Sequence, residues 1–110
     1  MIDWHRVGEL RDDVGAEDFD DVVELFLEEV AEVIERLESA PDPTQFEADL
    51  HFLKGSALNV GFSALGKICS EGELLANTGQ ATNVDIPAVI DTYRASITVF
   101  KERLARSQAA

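Results

Sequence analysis

Phe19, Val23, Phe26, Val30, Val33 and Leu37 recur at steps of four, three, four, three and four. That rhythm lays them on one stripe of an α-helix and on neither face of a strand. A stripe running about five turns has to be buried, so the chain must supply partners for it. It does. Val7, Leu10 and Val14 mark a short first helix from about Asp3 to Val14, ended by Gly15. The long stripe defines a second helix from about Asp18 to Glu38. Pro41-Asp42-Pro43-Thr44 stops it and opens the next, with Asp42 or Thr44 as N-cap. Phe46, Leu50, Leu53, Ala57 and Val60 then give a third helix from about Gln45 to Val60, closed by Gly61. Leu65, Ile68, Gly72 and Leu75 give a fourth, from about Ser63 to Asn77. After a polar loop, Asp85 caps a last helix with Pro87 in its first turn and Ile86, Ile90, Tyr93, Ile97, Phe100 and Leu104 as its stripe.

No segment alternates with a period of two, so the expected fold is all-α: an antiparallel four-helix bundle with an additional short N-terminal helix capping or crossing one end. At 110 residues with 45% hydrophobic content, one domain over 1–110 is expected, with its bundle core at about 18–106.

Charge narrows the partners. The chain carries a net charge of -13, which excludes the positive face that nucleic acids require and disfavours an anionic membrane surface. The charge is uneven: residues 1–53 hold 17 acidic and 3 basic residues, and residues 54–110 hold 5 and 6. The first half is therefore a solvated acidic helix face, able to steer some partners away. No apolar run approaches the roughly 20 residues of a membrane span, and Met1-Ile2-Asp3-Trp4-His5-Arg6 lacks the pattern of a signal peptide. The single cysteine, Cys69, is expected as buried packing. A cytoplasmic location is expected.

One stretch does not serve the core alone: His51-Phe52-Leu53-Lys54-Gly55-Ser56-Ala57-Leu58-Asn59-Val60-Gly61. His51 follows Leu50 and is turned about 100° from the buried stripe. Lys54 and Gly55, three and four residues on, are its surface neighbours. Glycine inside a helix costs about 1 kcal/mol relative to alanine. Side chains lean toward the helix N-terminus, so a large residue at 55 would overhang the imidazole. Close helix packing is the other reading of Gly55. A neutral imidazole, an open approach and a neighbouring cation suit attack on phosphorus, which asks mainly for positioning and charge stabilisation. Folding back at Gly61-Phe62 brings residues 71–73 opposite His51, so Glu71 or Glu73 is expected to accept the proton of its second nitrogen.

His51-x-x-Lys54-Gly55-Ser56-x-x-x-x-Gly61, with Leu50, Leu53, Val60 and Phe62 around it, resembles the signature of histidine phosphotransfer (HPt) domains of two-component phosphorelays. The resemblance covers roughly Phe19 to Leu104. It implies that His51 takes a phosphoryl group from the aspartate of one receiver domain and passes it to another. It implies that Lys54 orients the phosphoryl oxygens and that Gly55 gives access; where many relatives have a glutamine facing the histidine this chain offers Glu71 and Glu73, with Glu73 the candidate support of the imidazole. The protein would be a carrier and not an independently turning-over enzyme, with no cofactor of its own, since Mg²⁺ belongs to the receiver. Its partners would be response-regulator receivers, a sensor histidine kinase, or both. Two other readings stay open: the phosphoacceptor domain of a chemotaxis-type kinase fed by ATP, and a helical adaptor that is never phosphorylated. The 110 residues contain no glycine-rich nucleotide loop. Of the remaining candidates, Lys67 reads as a solvated lysine, Phe52 and Phe62 as a docking patch or, for Phe62, core, and His5 as a surface residue. No ligand spacing supports a metal at His5 and His51.

Overall fold

The computed structural model describes residues 1–109 and contains five α-helices: α1 (Trp4–Val14), α2 (Ala16–Ser39), α3 (Phe46–Val60), α4 (Ser63–Asn77) and α5 (Ile86–Ala109). Among the described residues there is no strand. Helices α2 to α5 form a ring in chain order, each packed on the next, and α5 returns to α2 to close it. The ring is antiparallel, as short connections require.

The helix ends follow local chemistry. The Asp3 side chain accepts from the Arg6 amide and caps α1. Gly15, at φ 87°, ends α1 and turns the chain directly into α2. That turn explains why α2 starts at Ala16, earlier than the expected Asp18, and places Glu17 and Asp18 in its first turn, where the helix dipole favours them. Asp42, not Thr44, is the cap at the next junction. Its carboxylate accepts from the Thr44 amide at 3.0 Å and the Thr44 hydroxyl at 2.7 Å. It closes a 3₁₀ turn, Pro43–Gln45, and α3 proper begins at Phe46. Asp85 accepts from the Ala88 amide at 3.0 Å and starts α5.

The buried stripe of α2 is Phe19, Val23, Val30, Ile34 and Leu37. Ile34 replaces the expected Val33, which is half-buried, as is Phe26. Alternating steps of four and three average 3.5 residues, while a straight helix repeats at 3.6, so the buried line drifts by about 20° per heptad. The same drift brings Cys69 into the core on α4, where Ile68 and Leu75 are only partly covered, and Val89 on α5. Helices α3 and α4 pack closely at Gly72, where a Cβ would lie 2.9 Å from Leu50 Cδ1 and 3.2 Å from Val84 Cγ1. Ser96 is fully buried and donates to the Thr92 carbonyl at 2.8 Å, so its hydroxyl is satisfied. Ion pairs between Arg36 and Asp49 and between Arg94 and Glu38 tie α2 to α3 and to α5.

The N-terminal segment caps the α3–α4 end of the ring. The Asp3 amide donates to the Gly61 carbonyl at 2.7 Å and the Ala64 amide to the Met1 carbonyl at 3.2 Å. Arg6 donates through Nε and Nη2 to the backbone and side-chain oxygens of Asn59. Val7 and Leu10 enter the core, and the Trp4 ring stacks on Phe100 with centroids 5.9 Å apart. The Arg103 guanidinium lies 4.7 Å from the Trp4 ring centroid, a cation–π contact.

Gly61 carries this junction at φ 86°, and a Cβ there would meet the Asp3 carbonyl at 2.8 Å and Val7 Cγ2 at 3.0 Å. Gly61→Ala therefore adds left-handed strain and a clash with the strap, and is expected to cost roughly 1–3 kcal/mol. Thermal unfolding checks this: the midpoint should fall by several degrees, and an unchanged midpoint would show that the strap is not held in solution.

Candidate functional site

The site lies on the outer face of the α3–α4 pair. Leu50 and Leu53 are fully buried and fix the rotation of α3. With those two inward, His51 faces out, and its side chain is 70% exposed. The α3–α4 turn then sets what stands opposite. Of the two glutamates expected there, Glu73 faces the histidine and Glu71 is exposed.

Glu73 serves two partners. His51 Nδ1 lies 2.9 Å from Oε1, and Lys54 Nζ lies 2.7 Å from Oε2. Oε2 is shielded from solvent and has no well-aligned hydrogen bond, so the lysine meets it as an ion pair and balances its charge. The contact with Lys54 is the main cause that holds the Glu73 carboxyl below its ordinary value. Partial desolvation opposes it, and the His51 contact adds to it. An ionised carboxylate only accepts, so His51 Nδ1 carries the proton. In the neutral ring Nε2 then keeps its lone pair. The arrangement is a nucleophilic nitrogen on an exposed ring whose tautomer and orientation are set by a second residue.

Gly55 is exposed, and a Cβ there would meet nothing within 4 Å. Close helix packing does not require this glycine, because the space is empty. On the other side of the histidine, toward the start of α3, His51, Thr44, Glu47, Ala48 and Glu73 border a shallow depression of about 520 Å³.

The other sequence candidates fall apart from this cluster. Phe62 is core, meeting Phe100 edge-on at 5.2 Å, and so leaves the docking patch. Phe52 stays exposed, as do Lys67 and His5. Leu74, exposed beside Glu73, borders a second depression with Lys54 and Asn77. Sequence reasoning did not single it out. The available signal was a leucine standing off its own helix stripe, next to a site glutamate. Cys69, one turn before Glu73, is fully buried, and burial together with the Glu73 charge pushes its thiol up to about 12. Among the described residues no helix is long and apolar enough to cross a membrane.

The described residues thus form a helical ring that displays a carboxylate-anchored histidine with a lysine beside it. The Hpt domain family model matches residues 21–110, and the chain belongs to that family, the histidine phosphotransfer domains of phosphorelays. Such domains are phosphohistidine carriers, not conventional enzymes, and interact with receiver domains and kinases. No curated protein and no solved structure matches the chain closely enough to add to this.

A carboxyl held low in the folded state stabilises the fold above its ordinary value of 4.5, and that contribution disappears as pH falls through the lower folded value. Lys54→Met removes the leading cause, so the Glu73 carboxyl should titrate at higher pH in the variant, seen in its side-chain carboxyl ¹³C shift. Identical titrations would mean that the Lys54–Glu73 pair does not form.

Proposed function

We propose that His51 is the phosphoacceptor and that this chain relays phosphoryl groups between the aspartates of receiver domains. The observation that carries the reading is the Glu73 carboxylate, which engages His51 Nδ1 and Lys54 Nζ at once. In the forward step the Nε2 lone pair attacks the phosphorus of an aspartyl phosphate. The N–P bond forms, the P–O bond to the receiver breaks, and the aspartate leaves as a carboxylate. Positive charge develops on the imidazole as the bond forms, and Glu73 lies 2.9 Å from Nδ1 to stabilise it. The Nδ1 proton stays in that hydrogen bond. Lys54 supplies a cation for the phosphoryl oxygens. The reverse step passes the group to a second receiver by the same path.

In this reading the receiver brings Mg²⁺ and this chain contributes no metal. The open space over Gly55 admits the receiver's aspartyl phosphate to the ring. Neither the nucleotide-fed kinase reading nor the adaptor reading draws on the emptiness over Gly55 more directly than the relay does.

Two measurements test this. A receiver pre-phosphorylated with a small-molecule donor should leave an acid-labile, base-stable phosphoryl adduct on the natural protein and none on His51→Gln. Adduct formation only with a kinase and ATP would replace the relay with the kinase-fed reading, and none from either would leave the adaptor. Separately, Gly55→Leu should raise the melting temperature, because leucine gains nearly 1 kcal/mol of helix propensity. The same substitution should slow transfer on the order of tenfold or more by overhanging the imidazole. A Gly55→Leu protein that melts higher and transfers normally would remove the access role of the glycine.

A further inference from the structure

The largest groove described on the molecule is not at His51. It runs between α2 and α5, encloses about 590 Å³, and exceeds the depression beside the histidine. In the ring α2–α3–α4–α5 this seam lies across the bundle from the α3–α4 seam that carries His51. The groove borrows no residue from the His51, Lys54 and Glu73 cluster.

Its composition is specific. The floor is apolar, with Leu27 on α2 and Tyr93, Ile97 and Leu104 on α5, all only partly covered by the rest of the chain. One wall is a row of carboxylates, Asp20, Glu24 and Glu28, spaced four residues apart on α2 and all exposed, against a single cation, Lys101, on the α5 side. That row extends about 12 Å, and Tyr93 to Leu104 about 16 Å. A groove of that length, apolar along its floor and acidic along one edge, matches three turns of helix with an apolar face and basic residues along one flank. Tyr93 is half-buried in the floor, and burial raises its phenol above the ordinary value. A tyrosine so placed offers a partner both ring surface and a hydroxyl.

A second copy of this chain fits poorly. Each chain carries a net charge of -13, so two copies repel as they approach. Charge complementarity selects a partner of the opposite sign.

We propose that the α2–α5 groove is a docking site for a basic amphipathic helix of a partner protein. It stands independently of the phosphoryl chemistry. Because it is on the far side of the bundle, an occupied groove leaves His51 open, and the domain can be held by one partner while it exchanges phosphoryl groups with another.

The probe is a synthetic helix-forming peptide of about 18 residues, with leucines on one face and lysines along one flank. It is titrated into the isotopically labelled full chain and followed by backbone amide shifts. Saturable shifts confined to α2 and α5, with His51 and Glu73 unmoved, are the expected result. Replacing the edge with Asp20→Asn, Glu24→Gln and Glu28→Gln should weaken binding on the order of tenfold, and circular dichroism should report the same helix content. A scrambled peptide of equal charge must bind far more weakly. Equal binding by the scrambled peptide, or shifts scattered over the acidic surface, would overturn the proposal in favour of unspecific attraction. Shifts in the groove that grow with protein concentration and no peptide would overturn it in favour of self-association.

Discussion

Two residues, Gly61 and Phe62, separate α3 from α4, and nearly everything else follows from that short link. A turn this tight admits one antiparallel register, and the register decides which α4 side chain stands across from each α3 side chain. It brings Gly72 against Leu50, so the helix backbones come close. It brings Glu73 to His51 and Lys54. Gly61 accomplishes the turn in the left-handed region, and the strap at residues 1–6 braces it from outside through the Asp3 amide and Arg6. Phe62 anchors it from inside by packing edge-on against Phe100.

The site is correspondingly economical in residues. Rotation of α3 is set by Leu50 and Leu53, fully buried on either side of His51, and truncating either would cost on the order of 2–5 kcal/mol. The histidine thus inherits its outward direction from core packing, not from interactions of its own. Glu73 then contributes three effects at once. It chooses the tautomer, it fixes the ring, and it parks Lys54 beside the ring. A glutamine there would keep the hydrogen bond and lose the charge, and the lysine would have no reason to stay.

Much of this was legible in the order of residues. The helix stripes, the capping role of Asp85 and the stop at Gly61 are local matters, set by periodicity and by backbone conformations that few residues adopt. The offset of His51 from Leu50 is local too. What was less legible depended on tertiary geometry. Ile34 rather than Val33 faces the core because helical drift accumulates along α2. Thr44 is a donor to Asp42 and not a cap because a 3₁₀ turn intervenes. Glu71 and Glu73 could not be told apart until the turn length was fixed, since they differ by half a helical turn. Trp4 and Arg6 gave no signal at all: their partners, Phe100 and Asn59, are distant in the chain. The family match begins at residue 21, so α1 and its strap lie outside it.

Cys69 lies one turn from Glu73 beneath the face that carries His51, with no exposed surface and a thiol pushed to about 12. Oxidants and electrophiles react with thiolates that they can reach. At neutral pH this sulfur offers neither the charge nor the access, and the sequence has no second cysteine. In the folded domain this thiol is thereby closed to oxidants. Swings in the oxidation state of its surroundings would leave that core position packed as it is while the domain stays folded.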